Sequence, residues 1–227
     1  MKKLENIDFL IFDLGNVIID IDYSFSINEL KKILPEAKHS LTDKFFPSTF
    51  HKDYEKGLIS SSQFREEVRN LYREDWADAQ IDHVWNSLLK DIPLERIELL
   101  KKLRMDFGTA VLSNTNEIHI EKFDELLIDQ TGEKSIYDLC DRIFLSHLMG
   151  LAKPDEKIYE AVLNEIKIKT GDSIETINET NRFNTDTSIR YEERTMLSNQ
   201  LRGRHNFPFL YDLAVDWQFT DAKARRY

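Results

Sequence analysis

Three short polar clusters carry the residue types that could do chemistry in this chain: Asp13-Leu14-Gly15-Asn16, Ser113-Asn114-Thr115-Asn116 and Lys153-Pro154-Asp155. An aspartate that ends an apolar run, with a glycine two residues on, lets a ligand approach the backbone closely. Its carboxylate can hold a divalent cation or attack phosphorus or carbon as a nucleophile. Taken alone, such an aspartate reads first as a turn cap. Ser113 offers a hydroxyl, Asn114 an amide and the next backbone N–H groups further donors, a set that can receive phosphate oxygens. In isolation that tetrad is a turn with a helix N-cap. Lys153 stands before a proline expected to set the first turn of a helix, where its ammonium can act as a point charge on a phosphoryl group. By itself it is a solvated lysine.

The elements that would position these clusters are legible in the apolar pattern. Ile7–Phe12, Gly108–Leu112 and Arg142–Leu145 are short runs rich in strand formers, each emptying into polar residues, as buried parallel strands do. Residues 23–105 show helical spacing and no convincing strand, and further helices are predicted at Ile97–Leu103, Ile118–Leu127 and Asp155–Ile166. A strand, a long helical excursion and then alternating strands and helices predict an α/β fold. It is a doubly wound (Rossmann-like) parallel sheet core with a helical cap inserted after strand 1. Ligands of such sheets sit at the carboxyl ends of the strands, which would gather Asp13, Ser113 and the Lys153 loop around one crevice. The expected domains are a core of residues 1–20 and 96–174, a cap of 21–95 and a divergent C-terminal segment of 175–227.

That last segment is atypical. Up to Ile174 the chain has 17 lysines and 6 arginines; from Glu175 on it has 1 lysine and 7 arginines. Hydrophobic periodicity fades there, and only Phe207–Leu213 looks able to pack. A divergent surface tail is the first reading, replacement of the C-terminus by a frame or recombination accident the second, and a specialised extension the third.

Composition excludes several function classes. With 227 residues, 41% of them apolar, the chain can bury a sizeable core. A formal charge of −10 argues against nucleic acid as a partner. The single cysteine, Cys140, cannot form an internal disulfide and is expected to be a small buried residue, so a cytoplasmic setting is expected. The mixed charges and short apolar run at the start suit neither a signal nor a membrane span.

Phe12-Asp13-Leu14-Gly15-Asn16-Val17-Ile18-Ile19-Asp20, Leu112-Ser113-Asn114-Thr115-Asn116 and Gly150-Leu151-Ala152-Lys153-Pro154-Asp155-Glu156-Lys157-Ile158-Tyr159 resemble, in order and approximate separation, the first three motifs of the haloacid dehalogenase-like hydrolase superfamily. Tyr54-Glu55-Lys56-Gly57-Leu58-Ile59-Ser60-Ser61-Ser62-Gln63-Phe64 resembles that family's helical cap. Asp-Leu-Gly-Asn-Val and Ser-Asn-Thr-Asn, with His119 shortly after, are most similar to the sugar-phosphate phosphatase branch that includes glucose-1-phosphate phosphatases. The resemblance spans about residues 7–174.

It implies a Mg²⁺-dependent phosphatase of a small phosphate ester, in which Asp13 takes the phosphoryl group and water releases it. Asp13 and the main-chain carbonyl of Gly15 would hold Mg²⁺, Ser113 and Asn114 the phosphoryl oxygens, and Lys153 would add positive charge. Two departures stand out. Position 15, where most phosphatases of the family carry an acid for the leaving oxygen, is glycine, which suggests a restriction to substrates with good leaving groups. The fourth motif, an apolar strand ending in paired acids, should begin near Ile174, but the chain reads Glu175-Thr176-Ile177-Asn178-Glu179-Thr180; Glu179 and Asp186 are weak substitutes. A catalytically impaired family member and a metal-free haloacid dehalogenase are therefore the alternatives. Asp20 and Asp22 are expected to cap the hinge of the insertion. Trp76, Trp85, Phe45, Phe46 and Phe50 are expected in the cap core, and His39, His51, His83, His119 and His147 lack metal-ligand spacing.

Overall fold

A computed structural model describes residues 9–166 with their side chains and, further along, the backbone of five strands between Ile174 and Ala222. Strands β1 (Phe9–Phe12), β2 (Gly108–Ser113) and β3 (Arg142–Leu145) pair in parallel in the order β3-β2-β1, with Phe12 beside Val111 and Ser113 beside Leu145. Their continuous apolar sequences follow from burial on both faces. Leu10, Phe12 and Val111 point to one side, where Ile97, Leu100, Phe123 and Leu127 cover them. Ile11, Ala110, Leu112 and Phe144 point to the other, against Ile158 and Val162. The covering helices are α5 (Leu94–Leu103) and α6 (Glu117–Thr131) on the first face and α8 (Glu156–Ile166) on the second, with short α7 (Ser146–Met149) between. This is the doubly wound, Rossmann-like α/β arrangement.

On the free side of β1 lies β4 (Ile174–Asn178), also parallel, with Ile177 beside Phe12. A fourth parallel strand thus forms where the sequence carries little apolar pattern. Strands β5 (Asn181–Asn184), β6 (Ser188–Tyr191), β7 (Ser198–Phe207) and β8 (Leu213–Ala222) continue the sheet in the order β4-β5-β6-β8-β7. Phe207 ends β7 and Leu213 begins β8, so the segment expected to pack joins the two longest strands; residues 208–212 lie outside the described residues.

Between β1 and β2 runs a helical insertion: α1 (Tyr23–Ile33), a 3₁₀ turn at Glu36–Lys44, α2 (Thr49–Glu55), α3 (Ser61–Tyr72) and α4 (Asp78–Asn86). Helix α3 shows how sequence fixes such an element. Ser60 and Gln63 form a reciprocal capping box at its start, and Phe64, Val68 and Tyr72 make one buried stripe. The insertion builds its own core around Trp85, with Phe64 and Phe45 ring centroids 4.6 and 5.4 Å away. Each such ring contributes about 2–3 kcal/mol by leaving water.

The chain crosses between the two cores twice, and the crossings pair with each other: Asp20 N–H donates to Asp91 O, Asp22 N–H to Leu88 O and Lys90 N–H to Asp20 O, each at 2.9 Å. Asp22 caps α1, accepting from Ser24 N at 2.9 Å. Asp20 differs from its expected capping role and pairs with Arg96 at 2.8 Å, because α5 brings that guanidinium to the hinge. Pro154 also differs. It sits in the turn closed by Asp155 N–H to Ala152 O, two residues ahead of α8, and its bond to Lys153 is cis. Among the described residues, no helix is long and apolar enough to cross a membrane.

Candidate active site

Asp13 follows β1 directly, and the loop behind it folds back on itself. Asn16 adopts a left-handed backbone, φ +54°, which asparagine tolerates better than most residues. Its N–H donates to Ile19 O at 2.6 Å and its Oδ1 accepts from Ile21 N–H at 2.7 Å, so the loop after Asp13 is tied to the hinge. Asp13 Oδ1 accepts from Leu14 N–H at 2.8 Å, and Oδ2 lies 2.6 Å from Lys153 Nζ. Both side chains are less than one-fifth exposed, so little water screens the pair. Lys153 Nζ also donates to Leu112 O at 3.0 Å.

Asn114 was expected to face a phosphoryl oxygen. In the structure its Oδ1 accepts from Lys153 N–H at 2.8 Å and its Nδ2 donates to Lys153 O at 2.9 Å, leaving one amide hydrogen for a ligand. The side chain therefore clamps the lysine loop to the end of β2. Ser113 is buried at that strand end and lines the same cavity, its hydroxyl 3.4 Å from Asn114 O. Gly15 lines it too. The structure thus brings Asp13, Gly15, Ser113, Asn114 and Lys153 around one cavity of about 360 Å³.

The opposite wall comes from the insertion and from α6: Tyr23, Phe46, His51, Glu55 and His119. Of the residues assigned to the insertion's core, Trp76, Trp85 and Phe45 are buried there and Phe46 and Phe50 pack against it, Phe46 also lining the cavity. His51 and Glu55 were missed as site residues. Their only signal is an i, i+4 pairing of opposite charge, common on any helix surface. His51 Nδ1 is 2.6 Å from Phe46 O, and Nε2 is 3.3 Å from Glu55 Oε1. Burial alone would lower the pKa of this imidazole, but the Glu55 hydrogen bond and charge, with the Phe46 carbonyl, outweigh it and raise the value. His119 is the opposite case. It stacks on Trp85 at 4.9 Å and 5° and meets Asn86 Oδ1 through Nδ1 at 2.8 Å. Burial first, then the charge of His51, pushes its pKa down to about 3. One wall therefore holds a proton-rich and a proton-poor imidazole on the same indole, since His51 also meets Trp85 edge-on at 4.9 Å.

The insertion is held over the sheet by polar contacts. Ser146 Oγ accepts from Thr115 N–H at 2.9 Å and lies 2.5 Å from Glu55 O. Trp85 Nε1 donates to Asn116 Oδ1 at 3.2 Å, Ile118 N–H to Tyr54 OH at 3.2 Å, and Ser61 to the Glu117 carboxylate.

A carboxylate, a hydroxyl and an ammonium are gathered at the strand ends of a doubly wound sheet, beneath a helical insertion, an arrangement suited to an anionic ligand. Residues 7–174 match the haloacid dehalogenase-like hydrolase family, and the chain belongs to it. Among curated proteins it is similar to D-ribitol-5-phosphate phosphatase of Bacteroides thetaiotaomicron, 24% identical over 156 residues that cover 69% of this chain and 75% of that protein. Among solved structures it is similar to a HAD-family enzyme of the same organism in complex with magnesium, at 33% identity and TM-score 0.68, covering 77% of this chain and 83% of the other. An aspartate-to-alanine variant of that enzyme, in complex with magnesium and inorganic phosphate, matches at 32% identity and TM-score 0.68, covering 76% and 83%. A predicted HAD-like family hydrolase of Porphyromonas gingivalis, 24% identical with TM-score 0.66 over 76% and 81% of the two chains, shares the fold.

Proposed function

We propose that this protein is a cytoplasmic, Mg²⁺-dependent phosphatase of a small phosphorylated metabolite, a sugar or sugar-alcohol phosphate. It works through an aspartyl-phosphate on Asp13. Residues 1–20 and 96–174 form the hydrolase core, and 21–95 a cap that closes over the substrate. The observation that carries this reading is the Asp13–Lys153 contact of 2.6 Å at a cavity shared with the Ser113 hydroxyl. The named activity of the ribitol-5-phosphate relative and the magnesium and phosphate bound by the similar enzyme support it.

A phosphate monoester is a dianion, and a carboxylate approaches it only when cations neutralise the pair. Lys153 supplies one cation. The donors suited to Mg²⁺ are the Asp13 carboxylate and the Gly15 main-chain carbonyl. Two hard oxygens at the cavity wall fit an ion that binds through one or two carboxylates, substrate phosphate and water. Among the described residues no group of three acidic, histidine or cysteine side chains gathers to hold a metal, and Glu179 and Asp186 lie outside them. Bound Mg²⁺ would withdraw charge from the phosphoryl oxygens.

The chain's own residues do the rest. Leu14 N–H and Lys153 orient the carboxylate, Ser113 donates its hydroxyl to a phosphoryl oxygen, and Asn114 keeps the lysine loop in register. Asp13 attacks phosphorus, the ester oxygen departs, and water hydrolyses the acyl phosphate, restoring the carboxylate.

Phosphate release from a panel of phosphosugars and sugar-alcohol phosphates tests the reading. With Mg²⁺ the wild type should turn over at least one of them, Asp13→Asn should lose about 10³-fold or more, and a chelator should abolish turnover. No release by wild type, with Asp13→Asn indistinguishable, would establish the impaired alternative. Turnover of a 2-haloacid in chelator would establish carbon chemistry.

A further inference from the structure

The phosphatase reading leaves one step without an acid, because the residue two positions beyond Asp13 is glycine. We propose that His51, backed by Glu55 on the same helix of the insertion, is the general acid that protonates the leaving oxygen. This rests on the phosphatase reading and removes the expected restriction to good leaving groups.

Besides Asp13 and Lys153, the titratable side chains among the described lining residues are Tyr23, His51, Glu55 and His119. Their surroundings separate them. Tyr23 is more than half exposed, at the mouth. His119 donates through Nδ1 to Asn86 Oδ1 and stays neutral, so its Nε2 is an acceptor suited to a substrate hydroxyl. Glu55 is the counter-charge. In His51 the Phe46 carbonyl can only accept, so Nδ1 carries a proton, and the Glu55 carboxylate favours a second proton on Nε2. The charged groups facing the ring are Glu55, which raises its proton affinity, and Lys52 on the same helix, which opposes it. His119 faces it from α6 without charge, and Asp13 and Lys153 line the same cavity. The ring is fixed by its edge-on contact with Trp85, and the end of α2 by Ser146 against the Glu55 carbonyl.

The step balances. As Asp13 forms its bond to phosphorus, the bond from phosphorus to the ester oxygen breaks, and that oxygen takes the Nε2 proton of the His51 imidazolium and leaves as an alcohol. The neutral imidazole then accepts a proton from the water that attacks the aspartyl-phosphate, which returns inorganic phosphate, the Asp13 carboxylate and imidazolium.

A primary alkyl phosphate, whose leaving oxygen needs a proton, is compared with p-nitrophenyl phosphate, whose leaving oxygen does not. His51→Gln should lower kcat about 10²-fold or more on the alkyl ester and less than tenfold on the aryl ester. With the acid required protonated, kcat on the alkyl ester falls as pH rises through the His51 pKa. Glu55→Gln, by weakening proton affinity, should move that fall to lower pH. Equal losses on both esters, no loss on either, or an unmoved basic limb in Glu55→Gln would overturn the assignment. Asp13→Asn that still hydrolyses the aryl ester would instead overturn the aspartyl-phosphate on Asp13, the part of the phosphatase reading on which the His51 step rests. A wild type that hydrolyses neither ester overturns both.

Discussion

Asn114 shows how one side chain acts through another. Both ends of its amide are used on the Lys153 backbone, at 2.8 and 2.9 Å, and Lys153 in turn reaches Asp13. Removing the amide loses two hydrogen bonds and leaves backbone groups of a half-buried loop seeking water. Asn114→Ala should therefore cost about 1–3 kcal/mol in urea denaturation. Phosphatase kcat should drop more than KM rises, because the displaced lysine no longer fixes the Asp13 carboxylate. An unchanged kcat would show that the clamp is structural only. Asp13 and Ser113 were legible because each stands where an apolar strand run turns polar, whereas Lys153, by itself a solvated lysine, was picked out only by the order of the three motifs. The use of Asn114 was not, since its partner stands far along the chain.

Helix α2 is the element that turns an aspartate site into a closed one. It is short, with seven residues and no side-chain cap at its start, and its position comes from where its C-terminus docks. Gly57 makes that docking tight. Its φ is +66°, and a Cβ there would meet His147 O at 2.0 Å. Because that obstacle is backbone, neither partner can give way cheaply. Gly57→Ala should cost about 2–4 kcal/mol, from the left-handed backbone and the overlap together. The thermal midpoint should fall by several degrees, and turnover with it, since His51 and Glu55 move with the helix. A variant with the wild-type midpoint would mean that α2 does not seat on α7 in solution. The helices of the insertion were legible from periodicity, but periodicity says which face is apolar and nothing about which end docks.

At the scale of the molecule, two cores meet along α6, whose Ile118 packs into the insertion's cluster while Phe123 and Leu127 pack against the sheet. His119 lies at that seam, and its depressed pKa makes global stability depend on pH. Below about 6.5 the unfolded chain takes a proton there that the folded one refuses until about pH 3. Its share of stability is therefore complete above 6.5 and lost as pH falls toward 3, at up to about 1.4 kcal/mol per pH unit. Denaturation at pH 7, 6, 5 and 4 should give a shallower acid decline for His119→Gln than for wild type. Parallel declines would show that the ring is reached by solvent in the folded state. His51 acts in the other sense, adding stability at low pH that is lost as pH rises through its raised pKa.

The amino-acid sequence by itself determined the three parallel strands, the helices that flank them, and the order of aspartate, serine and lysine. Each of these is written in local pattern: apolar runs, 3.6-residue spacing and polar residues at strand ends. It also carried the family resemblance over residues 7–174, which the family match covers in full. Only the tertiary structure decided that β4 lies beside β1 despite its weak apolar pattern, and that His51, Glu55 and His119 share a cavity with Asp13. The physical reason is that two histidines from α2 and α6 meet on one tryptophan of α4. Such a meeting depends on how whole helices dock, and no short window of sequence encodes it.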